Sequence, residues 1–153
     1  MTDLKFELPT REGNPPEVGK ELPQIQYSDK SPEDIREKLA EWSFSSLLDV
    51  REEPTFVSIP TSRALWLDEK VESAHKEAFM LDSREFTHLH LDGSIHTMVA
   101  EDIRNEIISK GWGVKHPLDT VSVLVYAPRD EQELEILKEI IKKSYEFATG
   151  RSL

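Results

Sequence analysis

Apolar positions recur along the chain in two different rhythms. From residue 32 to the mid-forties the spacing is helical. Ser31-Pro32-Glu33-Asp34 reads as a start, with Ser31 as N-cap, Pro32 at the first helical position and acids in the first turn. Ile35, Leu39 and Trp42 then share one face, and the helix should end near Ser43–Ser46. Short strand-like runs follow at Leu47–Arg51, Thr55–Ile59 and Arg63–Leu67, punctuated by Pro54 and Pro60-Thr61, with Ala78–Leu81 as a further short candidate. Phe86–Leu91 and Ile95–Val99 flank Asp92-Gly93, a hairpin signal. Glu101–Lys110 returns to helical spacing with Ile103 and Ile107 inward and Gly111 as its stop. Val121–Tyr126 is a β-branched run of the kind that fills a buried strand.

The last helix is the clearest element. Asp130 can cap it, Glu133 sits three residues on as in a capping box, and Gly150 ends it. Leu134, Leu137, Ile141, Tyr145 and Ala148 form its apolar stripe, widened by Ile136, Ile140 and Phe147. Strands in mostly hairpin order between two helices predict an α+β fold. Its antiparallel sheet should have about five or six strands, with an N-terminal helix, an inserted short helix and a long C-terminal helix packed on one face.

Five of the nine prolines fall in residues 1–32, so residues 1–31 read as an extended, irregular arm and residues 32–153 as a single α+β domain. The arm either lies over the domain through Phe6, Leu8, Leu22 and Ile25 or is a partly disordered tail.

Composition narrows the chemistry. With 30 acidic and 19 basic residues the net charge is −11, which disfavours nucleic acid and anionic membrane surfaces as partners. The chain has no cysteine, which excludes disulfides, thiol catalysis and cysteine-ligated metals. No apolar run approaches the roughly 20 residues of a membrane span, and no secretory signal is visible, so a cytoplasmic protein is expected. Phosphate-binding glycine loops and the serine-hydrolase elbow are also missing.

Histidine is left as the main carrier of reactivity. Four of the five histidines lie between residues 88 and 116. His88 and His90 share a strand face, about 7 Å apart by strand geometry. His96 joins them or faces away according to loop parity. A two-residue Asp92-Gly93 loop sends it to the opposite side, and a three-residue Asp92–Ser94 loop sets it against His90. A metal site on His88, His90 and His96 is the lesser reading, since no fourth ligand is identifiable by spacing. Trp112, between two glycines and close to His116, either walls a cavity or plugs the core beneath the helix end, with the plug favoured. Glu85 could orient His88, but regular alternation puts it on the opposite strand face.

The runs Arg84-Glu85-Phe86-Thr87-His88-Leu89-His90, Ser94-Ile95-His96, Lys110-Gly111-Trp112-Gly113-Val114-Lys115-His116-Pro117-Leu118 and Tyr126-Ala127-Pro128-Arg129-Asp130-Glu131 resemble, in order and approximate spacing, the luciferase-domain family. The likeness covers about residues 84–149, with a weaker echo in the N-terminal arm. That family includes the luciferase of bioluminescent fungi. The resemblance implies oxidation of a hispidin-type 3-hydroxypyrone by molecular oxygen through an endoperoxide, without a known metal or organic cofactor. It carries over His88, His90, His96, His116 and Arg129 as candidate catalytic positions, and Trp112 and Tyr126 as candidate substrate-binding positions.

A histidine base would deprotonate the enol, Arg129 would stabilise anionic charge, and the two aromatic rings would hold a flat substrate. The His90–Ser94 loop and the Pro117–Val121 segment are shorter than in the fungal pattern, so light emission does not follow. The expectation is a cofactor-independent, oxygenase-like enzyme for a small planar enolisable substrate. The alternative is a non-catalytic small-molecule-binding or interaction domain, and the third reading is a histidine-ligated metal enzyme. Its partner would be a small-molecule ligand, with a homodimer left open.

Overall fold

A computed structural model describes residues 5–117 and 121–153. Helix α1 (Glu33–Ser45) is followed by strands β1 (Val50–Pro54), β2 (Arg63–Leu67), β3 (Glu85–Leu89) and β4 (Ile95–Met98), then helix α2 (Glu101–Ser109), strands β5 (Gly113–Lys115) and β6 (Ser122–Val125), and helix α3 (Glu131–Thr149). The strands form one six-stranded antiparallel sheet in the order β1-β2-β3-β4-β6-β5. This is the α+β architecture the spacing predicts.

The helices cover one face. α1 packs on β1 and β2, α3 on β3 and β4, and α2 on β5 and β6. Leu65, Leu67, Phe86, Val123 and Val125 from the sheet meet Leu39, Ile107, Leu134, Leu137 and Ile141 from the helices, all buried. α3 is capped as its sequence demands. The Asp130 carboxylate accepts from the Glu133 amide at 2.9 Å, and Gly150 closes the helix in the left-handed region at φ 76°.

Several local expectations are corrected. Pro32, not Ser31, holds the N-cap position of α1, because the Ser31 hydroxyl donates to the Pro128 carbonyl at 2.6 Å. Thr55–Ile59 is not a strand. The Thr55 hydroxyl and the Phe56 amide both donate to the Glu85 carboxylate, which turns the chain out of the sheet. The first strand is displaced from Leu47–Arg51 to Val50–Pro54. In place of a strand at Ala78–Leu81 there is a short 3-10 turn, Lys76–Ala78. Gly113–Lys115 forms the edge strand β5, for which no strand is expected from the spacing. A side chain at Gly113 would collide with the Leu124 carbonyl of β6, so only glycine allows this close approach.

The proline-rich arm is irregular and held by specific contacts. Leu8 enters the core and its amide donates to Glu106 at 2.7 Å. The Arg11 amide donates to the Lys110 carbonyl, and Gln26 bridges to Asp92 and Ala127. Leu22, one of the apolar side chains through which the arm could have packed, is exposed.

Candidate functional site

The face of the sheet away from the helices carries the histidines. The β3–β4 connection leaves three residues, Leu91–Gly93, between His90 and Ser94, which are joined by a backbone hydrogen bond. Odd loop parity therefore holds, one residue earlier than the Asp92–Ser94 alternative. It places His96 opposite His88 rather than opposite His90. All three rings converge. Their centroids are 5.0 Å apart for His88–His90, 5.0 Å for His88–His96 and 4.8 Å for His90–His96. His116, half-buried, adds a fourth ring 5.2 Å from His96. The fifth histidine, His75, stacks on Phe147 instead.

A β-bulge decides what lies behind the cluster. Leu65 pairs with Thr87 but Trp66 pairs with Glu85, so Phe86 is an extra residue on β3. Phe86 and Thr87 both point to the helices, where Phe86 meets the Tyr145 ring and Thr87 bonds Ser144. Glu85 and His88 consequently share the other face, and the Glu85 carboxylate lies 2.7 Å from His88 Nδ1. The opposite phase expected for Glu85 from regular alternation is thus reversed. Glu85 is fully buried. A buried carboxylate needs several partners, and it has the Phe56 amide, the Thr55 hydroxyl and the His88 ring.

From Glu85 a hydrogen-bonded chain crosses the cluster. His88 Nε2 lies 3.0 Å from His96 Nδ1, and His96 Nε2 lies 2.9 Å from Gln24 Oε1. Gln24 spends its NH2 group on the Lys115 carbonyl, which orients its oxygen toward His96. His96 therefore donates from Nε2 to Gln24 and accepts at Nδ1 from His88 Nε2. Ser94 lies 2.8 Å from His90 Nδ1, and His90 Nε2 is buried with no hydrogen-bond partner among the described residues. Burial, reinforced by the nearby charge of His88, pushes His90 down to about 3. Burial also holds His96 well below its usual value, with further contributions from His88, His90 and His116. Both rings are neutral at neutral pH.

The cluster opens on a cleft of about 830 Å³. His88, His96 and His116 line it, with Phe56, Phe79 and Met98 among its apolar walls. Leu22, Phe56, Val57 and Leu81 stand exposed beside it.

The other sequence candidates lie elsewhere, and the described lining of the cleft includes none of Trp112, Tyr126 and Arg129. Trp112 is the core plug, donating from Nε1 to the Pro9 carbonyl at 2.6 Å. Tyr126 is buried with the Arg11 guanidinium 5.1 Å from its ring centre. Arg129 binds Glu133 at 2.6 Å and the Glu12 carbonyl at 2.7 Å, which ties the arm to the start of α3. Sequence reading missed Gln24, whose partner is 72 residues away, and gave Ser94 no role in the cluster. No local signal marks Gln24.

Residues 83–144 match the Luciferase domain family. This segment contains the bulge, both histidine strands and His116. The luciferases of Armillaria gallica and Armillaria mellea are each 37% identical over 77 residues, covering 44% of this chain and 29% of theirs. The luciferase of Neonothopanus nambi is 26% identical over 175 residues, covering 94% of this chain and 62% of its own. The chain thus spans less than a third of the Armillaria luciferases and under two thirds of the Neonothopanus one. No solved structure matches. Among the described residues, no helix is long and apolar enough to cross a membrane.

Proposed function

We propose that this luciferase-family chain is an oxygenase-like enzyme that needs no organic cofactor and acts on a small, planar, enolisable substrate. The observation that carries the reading is the cleft of about 830 Å³ ending on His88 and His96, with a buried carboxylate behind His88. Its volume lies within the range of small-molecule sites, and its walls of Phe56, Phe79 and Met98 suit a flat apolar ring. The polar end suits an acidic enol. The enol oxygen gives up its proton to the imidazole cluster, and Glu85 stabilises the imidazolium that results. The enolate so formed is the electron-rich species that molecular oxygen, as co-substrate, would attack.

The test is oxygen uptake with a panel of 3-hydroxypyrones and polyketide-like enols, comparing the natural sequence with His88→Ala and His96→Ala. Uptake should fall by about 10²-fold or more in both variants, the usual worth of a positioned acid–base group. Equal rates in all three proteins would overturn the reading.

A further inference from the structure

The inward nitrogens of the cluster form a set that a hydrogen-bonded acid–base pair alone does not explain. His88, His90 and His96 are all buried, and one ring nitrogen from each lies within 4.8 Å of the other two. Every outward nitrogen is held by a different group: His88 Nδ1 by Glu85, His96 Nε2 by Gln24 and His90 Nδ1 by Ser94. Of the remaining three, His88 Nε2 and His96 Nδ1 bond only each other within the cluster, and His90 Nε2 is buried without a partner among the described residues. Such an orphan lowers stability unless something fills its lone pair.

The geometry points to a divalent transition-metal site, with these three nitrogens as ligands for an imidazole-preferring ion such as zinc(II), cobalt(II) or iron(II). Two imidazole nitrogens on one such ion, each about 2.0–2.1 Å away, lie about 2.8–3.4 Å from each other. The His88 Nε2 to His96 Nδ1 separation is 3.0 Å. Three histidines with an open position are a catalytic rather than a structural ligand set. The open side would face the cleft, since His88 and His96 line it, and the cleft supplies the entry path. Glu85, Gln24 and Ser94 are the outer partners that fix ring orientation in such sites, the Glu85–His88 pair being the carboxylate–histidine arrangement.

The site overlaps the one that carries the proposed enzyme reading, but cation binding needs no substrate to be measured, so either can fail without the other. The experiment is titration of chelator-stripped, untagged protein with zinc(II) and with cobalt(II), by calorimetry and by the visible absorption of bound cobalt. One equivalent should bind. His90→Gln should weaken binding at least about 100-fold, and Ser94→Ala and Glu85→Gln about 10–100-fold each. His75→Gln, which alters the histidine outside the cluster, should bind like the natural sequence. Circular dichroism checks that each variant folds, and if His90→Gln does not, Ser94→Ala carries the comparison. No saturable binding by the natural sequence would overturn the proposal. So would equal affinity in the folded cluster variants.

Discussion

The two faces of the sheet use the same strands for opposite purposes. On the helix face, Leu65, Phe86, Val123 and Val125 meet apolar helix side chains, and the polar intruders are short hydroxyls that satisfy each other locally. Thr87 bonds Thr97 at 2.7 Å, and Ser144 donates to the Met98 carbonyl at 2.6 Å. On the other face, Glu85, His88, His90 and His96 are buried almost as completely, but their partners come from distant segments: Thr55 and Phe56 beyond β1, and Gln24 in the arm. The first face is a core, which tolerates no polar group without a neighbour at hand. The second concentrates titratable groups beside an open cleft, at a cost in desolvation that a purely structural sheet face would avoid. One extra residue in β3 separates the two, because without the bulge at Phe86 the Glu85 carboxylate would point into the helices.

The largest expected effect breaks the comparison on its apolar side. Leu137→Ala should lower stability in urea unfolding by about 2–5 kcal/mol, the usual worth of a fully buried leucine, while oxygen uptake per folded molecule stays unchanged. A matching loss of uptake in fully folded protein would show that the faces are not separable. Glu85→Gln comes next and acts on the other face. Replacing a charged acceptor by a neutral one should remove about 1.5–3 kcal/mol of stability. It should also lower oxygen uptake about 10²-fold, because the amide no longer stabilises an imidazolium on His88. A drop in stability without a drop in uptake would reduce Glu85 to a structural tie.

The sequence makes the helix face legible because its information is local. The stripe of α3, its Asp130 cap and its Gly150 stop follow from spacing and backbone chemistry alone. The Asp92-Gly93 turn is equally local, and it limits the relation of His96 to His88 and His90 to two parities. The histidine face needs facts that exist only between strands. A bulge is a property of pairing, so regular alternation puts Glu85 on the wrong side. Gln24 lies in a proline-rich arm with no periodicity, and its meaning comes from a contact 72 residues away. Arg129, Trp112 and Tyr126 have the right chemistry for a site, but in the structure that chemistry is spent on holding the arm and the end of the sheet.

A pH titration sharpens the contrast through an effect that is small per pH unit and accumulates as the pH falls. His90, at about 3 in the folded state against about 6.5 unfolded, and His96, also held low, take up protons more readily when the chain is unfolded. Their contribution to stability is therefore intact above about pH 6.5 and is lost as the pH falls toward 3. Metal-free protein should lose up to about 1.4 kcal/mol per pH unit for each of the two groups. His90→Gln should show a shallower slope between pH 6 and pH 4, measured by urea midpoints at each pH, whereas Leu137→Ala should keep the full slope at a lower overall stability. Parallel curves for His90→Gln and the natural sequence would mean that His90 is not buried neutral.

The smallest effect is expected at Arg129, where the resemblance points to catalysis and the contacts point to fastening. Its guanidinium is a third exposed, paired with Glu133 four residues on and bonded to the Glu12 carbonyl. A partly solvated pair of this kind is screened on its open side, so Arg129→Gln should cost only about 0.5–1 kcal/mol. The side chain is outside the described cleft lining, so oxygen uptake should change by less than about twofold, well under the 10²-fold typical of a group at the reacting atoms. The loss should appear first as faster proteolysis near Glu12–Asn14, because Arg129 anchors that part of the arm. A large fall in uptake with the arm still protected would move Arg129 back into the site, and would require a closed state in which the arm releases it.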